Sequence, residues 1–225
     1  MGFEPPPGYT DLLADADITP PCGGYEPLSV PAVATVAARR PAPRAAAALA
    51  MSANRRLPAE RSAGHLIRFV TDHLADDDYE RLLDAMMEGR APHDTVGRVA
   101  RAVATWGTAR PYLAVATLAA VTAQHWRLVR NHLIDHGIPD PLTRLPSLHA
   151  LLDVTEHIVL ESFSGEKPAE AKRRRTAFLN SLYAPERPER VATPVNGETY
   201  RPRPPGFSDD EVEAAFDTFA RTVGR

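Results

Sequence analysis

His132 and His136 stand four residues apart, a spacing that sets both imidazoles on one face of a helix and can bind zinc. Hydrolysis at such a site needs a third ligand and a general base, and the familiar helical motif places a glutamate directly after the first histidine. Leu133 occupies that place, and His136 falls at a helix end just before Gly137. The pair therefore reads as ordinary helix histidines. His149 with Asp153, and Glu156 with His157, read as solvated or locally paired groups. Paired carboxylates, a nucleophile beside its base and a phosphate-cradling glycine loop are all missing from the sequence, so no residue is assigned to catalysis, to a cofactor or to a metal.

What remains is chemistry of contact. Lys172-Arg173-Arg174-Arg175 is the one concentrated positive run; it could touch phosphates, but Glu166 and Glu170 flank it and no aromatics interleave it, so a solvated helix face is the plainer reading. Met86 and Met87 are candidates for an adaptable partner-binding surface, against the alternative that both fill the core. Phe216 and Phe219, three apart near the C-terminus, are the other candidate partner-binding residues. Trp106 and Trp126 read as core anchors that could also line a groove.

The elements that must position these groups are helices. Of 22 prolines, 9 lie in residues 1–43 and 6 in residues 185–205. Proline fixes φ and lacks the amide donor, so both flanks are expected to be irregular. The expected organisation is a mainly α protein: an extended proline-rich arm over 1–43 whose residues 28–38 read as an edge strand or a loose segment, a helical core over 44–184, a proline-rich linker over 185–207, and an amphipathic helix over 208–225 capped by Ser208. The arm is expected to be separable, so that removing residues 1–29 leaves the core intact. Within the core, helices are predicted over 44–53, 59–74, 76–88, 94–106, 111–136, 147–163 and 168–183. The 111–136 segment is long for a globular helix and is expected to break near 122–124, with Thr122 capping the second part.

Bulk properties exclude little. A net charge of −3 gives no general attraction for nucleic acid or an anionic surface. The single cysteine, Cys22, can form neither an internal disulfide nor a four-cysteine site. The N-terminus lacks a signal-peptide pattern and no apolar run reaches the roughly 18 residues of a membrane span, so a cytoplasmic location is expected.

The run ARPYLAVATLAAVTAQHWRLVRNHLIDHGIPDPLTRLPSLHALLDVTEHIVLES, with YERLLDAMMEGRAP before it and AFLNSLYAP and GFSDDEVEAAFDTFA after it, resembles tail assembly chaperones of siphoviruses infecting actinobacteria. The resemblance spans about residues 40–220 and carries no catalytic motif. It implies a non-virion protein of the host cytoplasm that coats the tape-measure protein, keeps it soluble and leaves as tube subunits polymerise. The implied partners are the tape-measure protein, the major tail (tube) protein, a frameshifted longer form of the chain and further copies of itself, with no membrane and no cofactor. The alternatives are a structural virion component such as a head-to-tail connector or minor tail subunit, and, further off, a nucleic-acid-associated factor using Lys172 to Arg175.

Overall fold

The computed structural model describes residues 7–19, 23–54, 56–165 and 167–183. The architecture is mainly α with one small sheet. Its elements are α1 (Pro7–Ile18), β1 (Glu26–Val30), β2 (Ala34–Ala38), α2 (Ala45–Ser52), α3 (Ala59–Thr71), α4 (Asp76–Met87), α5 (Thr95–Ala104), α6 (Tyr112–Gln124), α7 (Trp126–Asp135), α8 (Pro141–Arg144), α9 (Leu148–Ser162), a single 3-10 turn (Phe163–Gly165) and α10 (Pro168–Tyr183). The chain divides after Ala184, and all described residues belong to the first unit. Phe216, Phe219 and the expected linker and terminal helix lie outside the described residues, as does Cys22.

Alanine builds the centre. In α2, Ala45, Ala46, Ala47, Leu49, Ala50 and Met51 are buried, and in α6 Ala114, Val115, Ala116, Leu118, Ala119, Thr122 and Ala123 are. Side chains of one carbon let helix axes approach closely, and alanine gives up least conformational freedom on entering a helix. α2 is thereby sandwiched between α3 and α6, with α1 laid against it. α9 closes the far side of α6 through Leu148, Leu151 and Leu152, and the hydroxyls of Thr122 and Thr155 meet at 2.8 Å across that seam. Ser147 caps α9, its side-chain oxygen accepting from the Ala150 amide at 3.2 Å.

Residues 7–18 correct the expectation of an extended arm. They form a helix whose Tyr9, Leu12 and Ala16 are buried against α2, α6 and α7. The prolines stop at the first helical position, where proline's missing amide costs nothing, so they start α1 instead of preventing it. Gly8 is required by close approach: a Cβ there would come within 2.5 Å of the Ala123 carbonyl oxygen and 2.7 Å of that of Gln124. The Asp15 carboxylate accepts from Trp126 Nε1 at 2.7 Å, joining α1 to the fully buried tryptophan of α7. With these contacts residues 7–18 are part of the core, so removing residues 1–29 is expected to destabilise it.

The expected edge strand is a hairpin, β1 paired antiparallel with β2 in the register Leu28 to Val36, and the turn passes through Ala32 at φ 58°. The outer edge of β2 is covered by the α3–α4 connection. Arg39 N donates to His73 O at 2.7 Å, Ala75 N donates to Ala37 O at 3.0 Å, and the Asp78 carboxylate accepts from the Ala37 amide. Backbone groups that would otherwise be free at the edge are thus satisfied.

Two helix details differ from expectation. The long segment breaks at His125, and Thr122 does not cap α7; it is buried and turns its hydroxyl back to Leu118 O at 2.8 Å. Between α7 and α9, where no helix is predicted, Pro141 opens the short α8.

Candidate partner-binding surfaces

Three surfaces of this unit present groups that a partner could use. The first is a cleft between α1, α2 and α3. Its floor comes from Leu13 and Ala16 of α1, Ala45 and Ala48 of α2, and Phe69 of α3, so alanines again leave room where larger residues would fill it. The rim is cationic. Arg40 pairs with Glu26 at 3.1 Å, Arg44 with Asp72 at 3.2 Å, and Arg68 with Asp17 at 2.6 Å. Arg39 lies over the Tyr25 ring, its guanidinium carbon 4.3 Å from the centroid, and its buried Nε meets no acceptor among the described residues. The narrow interior of the cleft holds about 30 Å³. That is room for one or two waters or the head of one small side chain, and too little for a nucleotide or an organic cofactor.

His65 and His73 also border the cleft. Burial holds His73 below the ordinary imidazole range, opposed by its ring hydrogen bond to Phe69 O at 2.6 Å and by the Asp72 charge, while Arg44 and Arg39 push the same way as burial. His65 is lowered by burial and by Arg68. Both shifts disfavour the charged imidazole, so the cleft's positive charge belongs chiefly to its arginines.

The second surface is a groove where α1 meets α7 and α8, with Trp126 at its base. Two open depressions of about 400 and 200 Å³ share Asp15, Trp126 and Arg130, with Ile134 edging one and Ile18, 83% exposed, edging the other. Its charges are matched internally, Arg127 to Asp11 at 2.5 Å and Arg130 to Asp15 at 3.4 Å.

The third is the end of α4. Met87 is 82% exposed and Met86 half-buried, so the reading of this pair as core fails for Met87. Along α4 only Asp78 and Leu82 are buried, because the helix packs mainly on α3 and leaves its last turn uncovered. Trp126 is core, whereas Trp106 lies beyond the end of α5, half-buried under Arg40 with the guanidinium carbon 5.1 Å from its ring.

The histidines and the basic run take structural places. His132 and His136 stack at 4.3 Å, and the His136 Nδ1 sits 2.7 Å from His132 O. No group of three or more His, Cys, Asp or Glu among the described residues is placed to hold a metal ion. His149 is not paired with Asp153; its Nε2 bonds Trp106 O at 3.1 Å, and burial lowers its pKa. Asp153 and Glu156 instead converge on Arg110 at 2.6 and 2.7 Å, and the Tyr183 hydroxyl donates to Glu156 at 2.6 Å. Burial of Arg110 works against its charge, but the hydrogen bonds that it donates to Glu156, Tyr183 and Asp153 outweigh it and raise the pKa, fixing α10 to α9 and to the start of α6. His157 pairs with Glu161 at 3.2 Å, since Glu156 faces inward. Lys172 to Arg175 are exposed on α10, Arg174 reaching Glu170 at 3.5 Å and Arg175 donating to the Ser164 hydroxyl at 2.6 Å.

Scattered numbering hides these surfaces in the sequence. The cleft joins residues 13, 39, 45, 68 and 73, which share no period, and the groove needs α1, a helix that the proline count concealed.

Comparison with known proteins divides the chain. Residues 2–111 match the family described as phage tail assembly chaperone protein. Residues 121–225 match a family of unknown function (DUF7240). No curated protein and no solved structure matches the chain. The two matched stretches share one core where they are described: α1 of the first packs on α7 of the second, and the boundary between them falls at α6, which both sides bury. The match over residues 2–111 contains the whole α1–α2–α3 cleft and the α4 tip, and it supports a role as a phage tail assembly chaperone.

Proposed function

We propose that this chain is a tail assembly chaperone that binds the tape-measure protein of its phage, keeps it soluble, and helps bring tube subunits to it without catalysing a reaction. The observation that carries this reading is the match of residues 2–111 to the tail assembly chaperone family. The surfaces agree in kind. A long helical client exposes apolar faces until a tube encloses it, and such faces aggregate unless covered. Helical grooves with an apolar floor and a polar rim can cover them through contacts that are individually weak and reversible.

The role belongs in the host cytoplasm during assembly, and none of the described helices is long and apolar enough to cross a membrane. Tube protein, a longer frameshifted form and further copies of the chain are additional partners of the same reading, with Met86, Met87, Phe216 and Phe219 as contact residues. Mass action alone drives such binding, so nucleotide is not required.

Co-expression tests it. The tape-measure protein should move from the insoluble to the soluble fraction when this chain is present, co-purify with it, and remain soluble after ATP is depleted. Purified mature particles should lack the chain. Stoichiometric amounts in those particles would make it a structural virion component, and an insoluble tape-measure protein despite abundant chain would end the chaperone reading.

A further inference from the structure

We propose that the cleft between α1, α2 and α3 docks a carboxylate side chain carried on an apolar helical face of the client, with Arg39 as its counter-charge. The proposal rests on the chaperone reading above for the identity of the client, and on the cleft itself for the chemistry.

Arg39 stands apart from the other rim arginines. Arg40, Arg44 and Arg68 each have a carboxylate within 3.2 Å, whereas Arg39 has a ring beneath it and no acidic partner among the described residues. Its Nε is shielded from solvent and meets no acceptor among the described residues. A shielded donor on a charged group is costly to leave unmatched, and the cost is recovered when an anionic acceptor arrives. Stacking on Tyr25 and the Arg39 N to His73 O bond hold the residue at the cleft's edge, so little side-chain freedom is lost when it binds.

The rest of the cleft fits a side chain on a helix better than a free anion. Its floor is apolar, built by Leu13, Ala16, Ala48 and Phe69, which would cover the methylene and aliphatic surface around a carboxylate. The interior of about 30 Å³ matches a carboxylate head and excludes a phosphorylated metabolite. Asp17 and Asp72 are already engaged by Arg68 and Arg44. Charge complementarity therefore favours an acidic residue on the partner over a basic one.

The test uses the full chain and the tape-measure protein of the same phage. Arg39→Gln should weaken their binding by roughly tenfold or more, the loss expected for a shielded charge-assisted bond. Lys172→Gln, which changes the net charge equally on the exposed face of α10, should leave affinity unchanged. Ala48→Leu, which fills the cleft and keeps the arginine at position 39, should weaken binding to a similar degree and carries the test if Arg39→Gln unfolds. Among Asp→Asn and Glu→Gln variants of the client, one position should lose its effect in the Arg39→Gln background. Wild-type affinity in both folded cleft variants, equal losses in Arg39→Gln and Lys172→Gln, or coupling to no client carboxylate would each overturn the proposal. Failure of the wild-type chain to bind the tape-measure protein would instead overturn the proposed function.

Discussion

α1 and α4 are both twelve-residue helices, and they exchange the roles that their sequences suggest. α4 has the stronger pattern, with Tyr79, Leu82, Leu83, Met86 and Met87 on one stripe, three aspartates at its start and Gly89 just beyond its end. α1 has two leucines together, three aspartates spread along it and prolines ahead of it. Yet α1 buries Gly8, Tyr9, Leu12 and Ala16, and α4 buries Asp78 and Leu82. Periodicity reports that a helix has an apolar side; it does not report how many neighbours cover that side. α1 lies in a valley between α2, α6 and α7, while α4 has chiefly α3 for a neighbour. Small residues decide the difference, because Gly8 and Ala16 bring α1 close enough for Leu12 to be enclosed completely.

The largest expected effect follows from that contrast. Deleting residues 1–18 uncovers the faces of α2, α6 and α7 on which α1 packs and strips Trp126 Nε1 of its acceptor, so cooperative unfolding should be lost or Tm lowered steeply. Leu12→Ala alone should cost about 2 to 5 kcal/mol, against about 1 kcal/mol or less for Leu83→Ala in α4. Chemical denaturation of the two variants measures this directly, and equal losses would end the comparison. Gly8→Ala comes next. Its Cβ would meet two backbone oxygens that cannot swing aside, so α1 must shift as a body, at about 1 to 3 kcal/mol.

Helix existence was legible and helix depth was not. Each predicted core helix is present within a few residues, since Gly89 and Gly137, both at positive φ, and Pro111 and Ser147 mark ends by local chemistry that the sequence carries openly. The hub was illegible. Ala45 to Ser52 reads as a modest alanine-rich segment, and its centrality comes from what packs on it. The proline count misled at residues 7–18 because proline forbids helix interiors and permits helix starts. At the candidate site the methionines were legible as adaptable surface only as one of two readings, and Met87 takes the exposed one. Arg39 had no signal at all: its neighbours have carboxylate partners and, among the described residues, it has none.

A pH titration sharpens the contrast from the seam between the two regions. His73 ends the α3 segment, accepts Arg39 N at its carbonyl, and faces Asp72, Arg44 and Arg39. Burial lowers its pKa, and burial also lowers those of His65 and His149. The unfolded chain therefore binds more protons than the folded one just below the ordinary histidine value. Stability is full above about pH 6.5 and falls as pH drops below it, by up to about 1.4 kcal/mol per pH unit for the buried His73 and by less for the part-exposed His65 and His149. His73→Asn, whose amide can still donate to Phe69 O, should flatten that fall. An unchanged slope would place the titration elsewhere.

The smallest stability effect is expected where the sequence pattern was strongest. Met87 offers most of its surface to solvent and Met86 about half, so little buried area is lost when both are replaced by serine. Exposed positions usually change stability by no more than about 0.5 kcal/mol, and Met86 adds a modest packing loss, so the double variant should stay within about 1 kcal/mol of wild type. Client binding is the quantity that separates two meanings of this surface. If α4 is a contact element, Met86→Ser with Met87→Ser weakens capture of the tape-measure protein while leaving Tm nearly unchanged, the reverse of Gly8→Ala, which lowers Tm first. Full capture by a folded double variant would leave the α4 stripe as one more half-covered helix face, and would move the partner-binding surface of this half of the chain to the cleft that α1 helps to build.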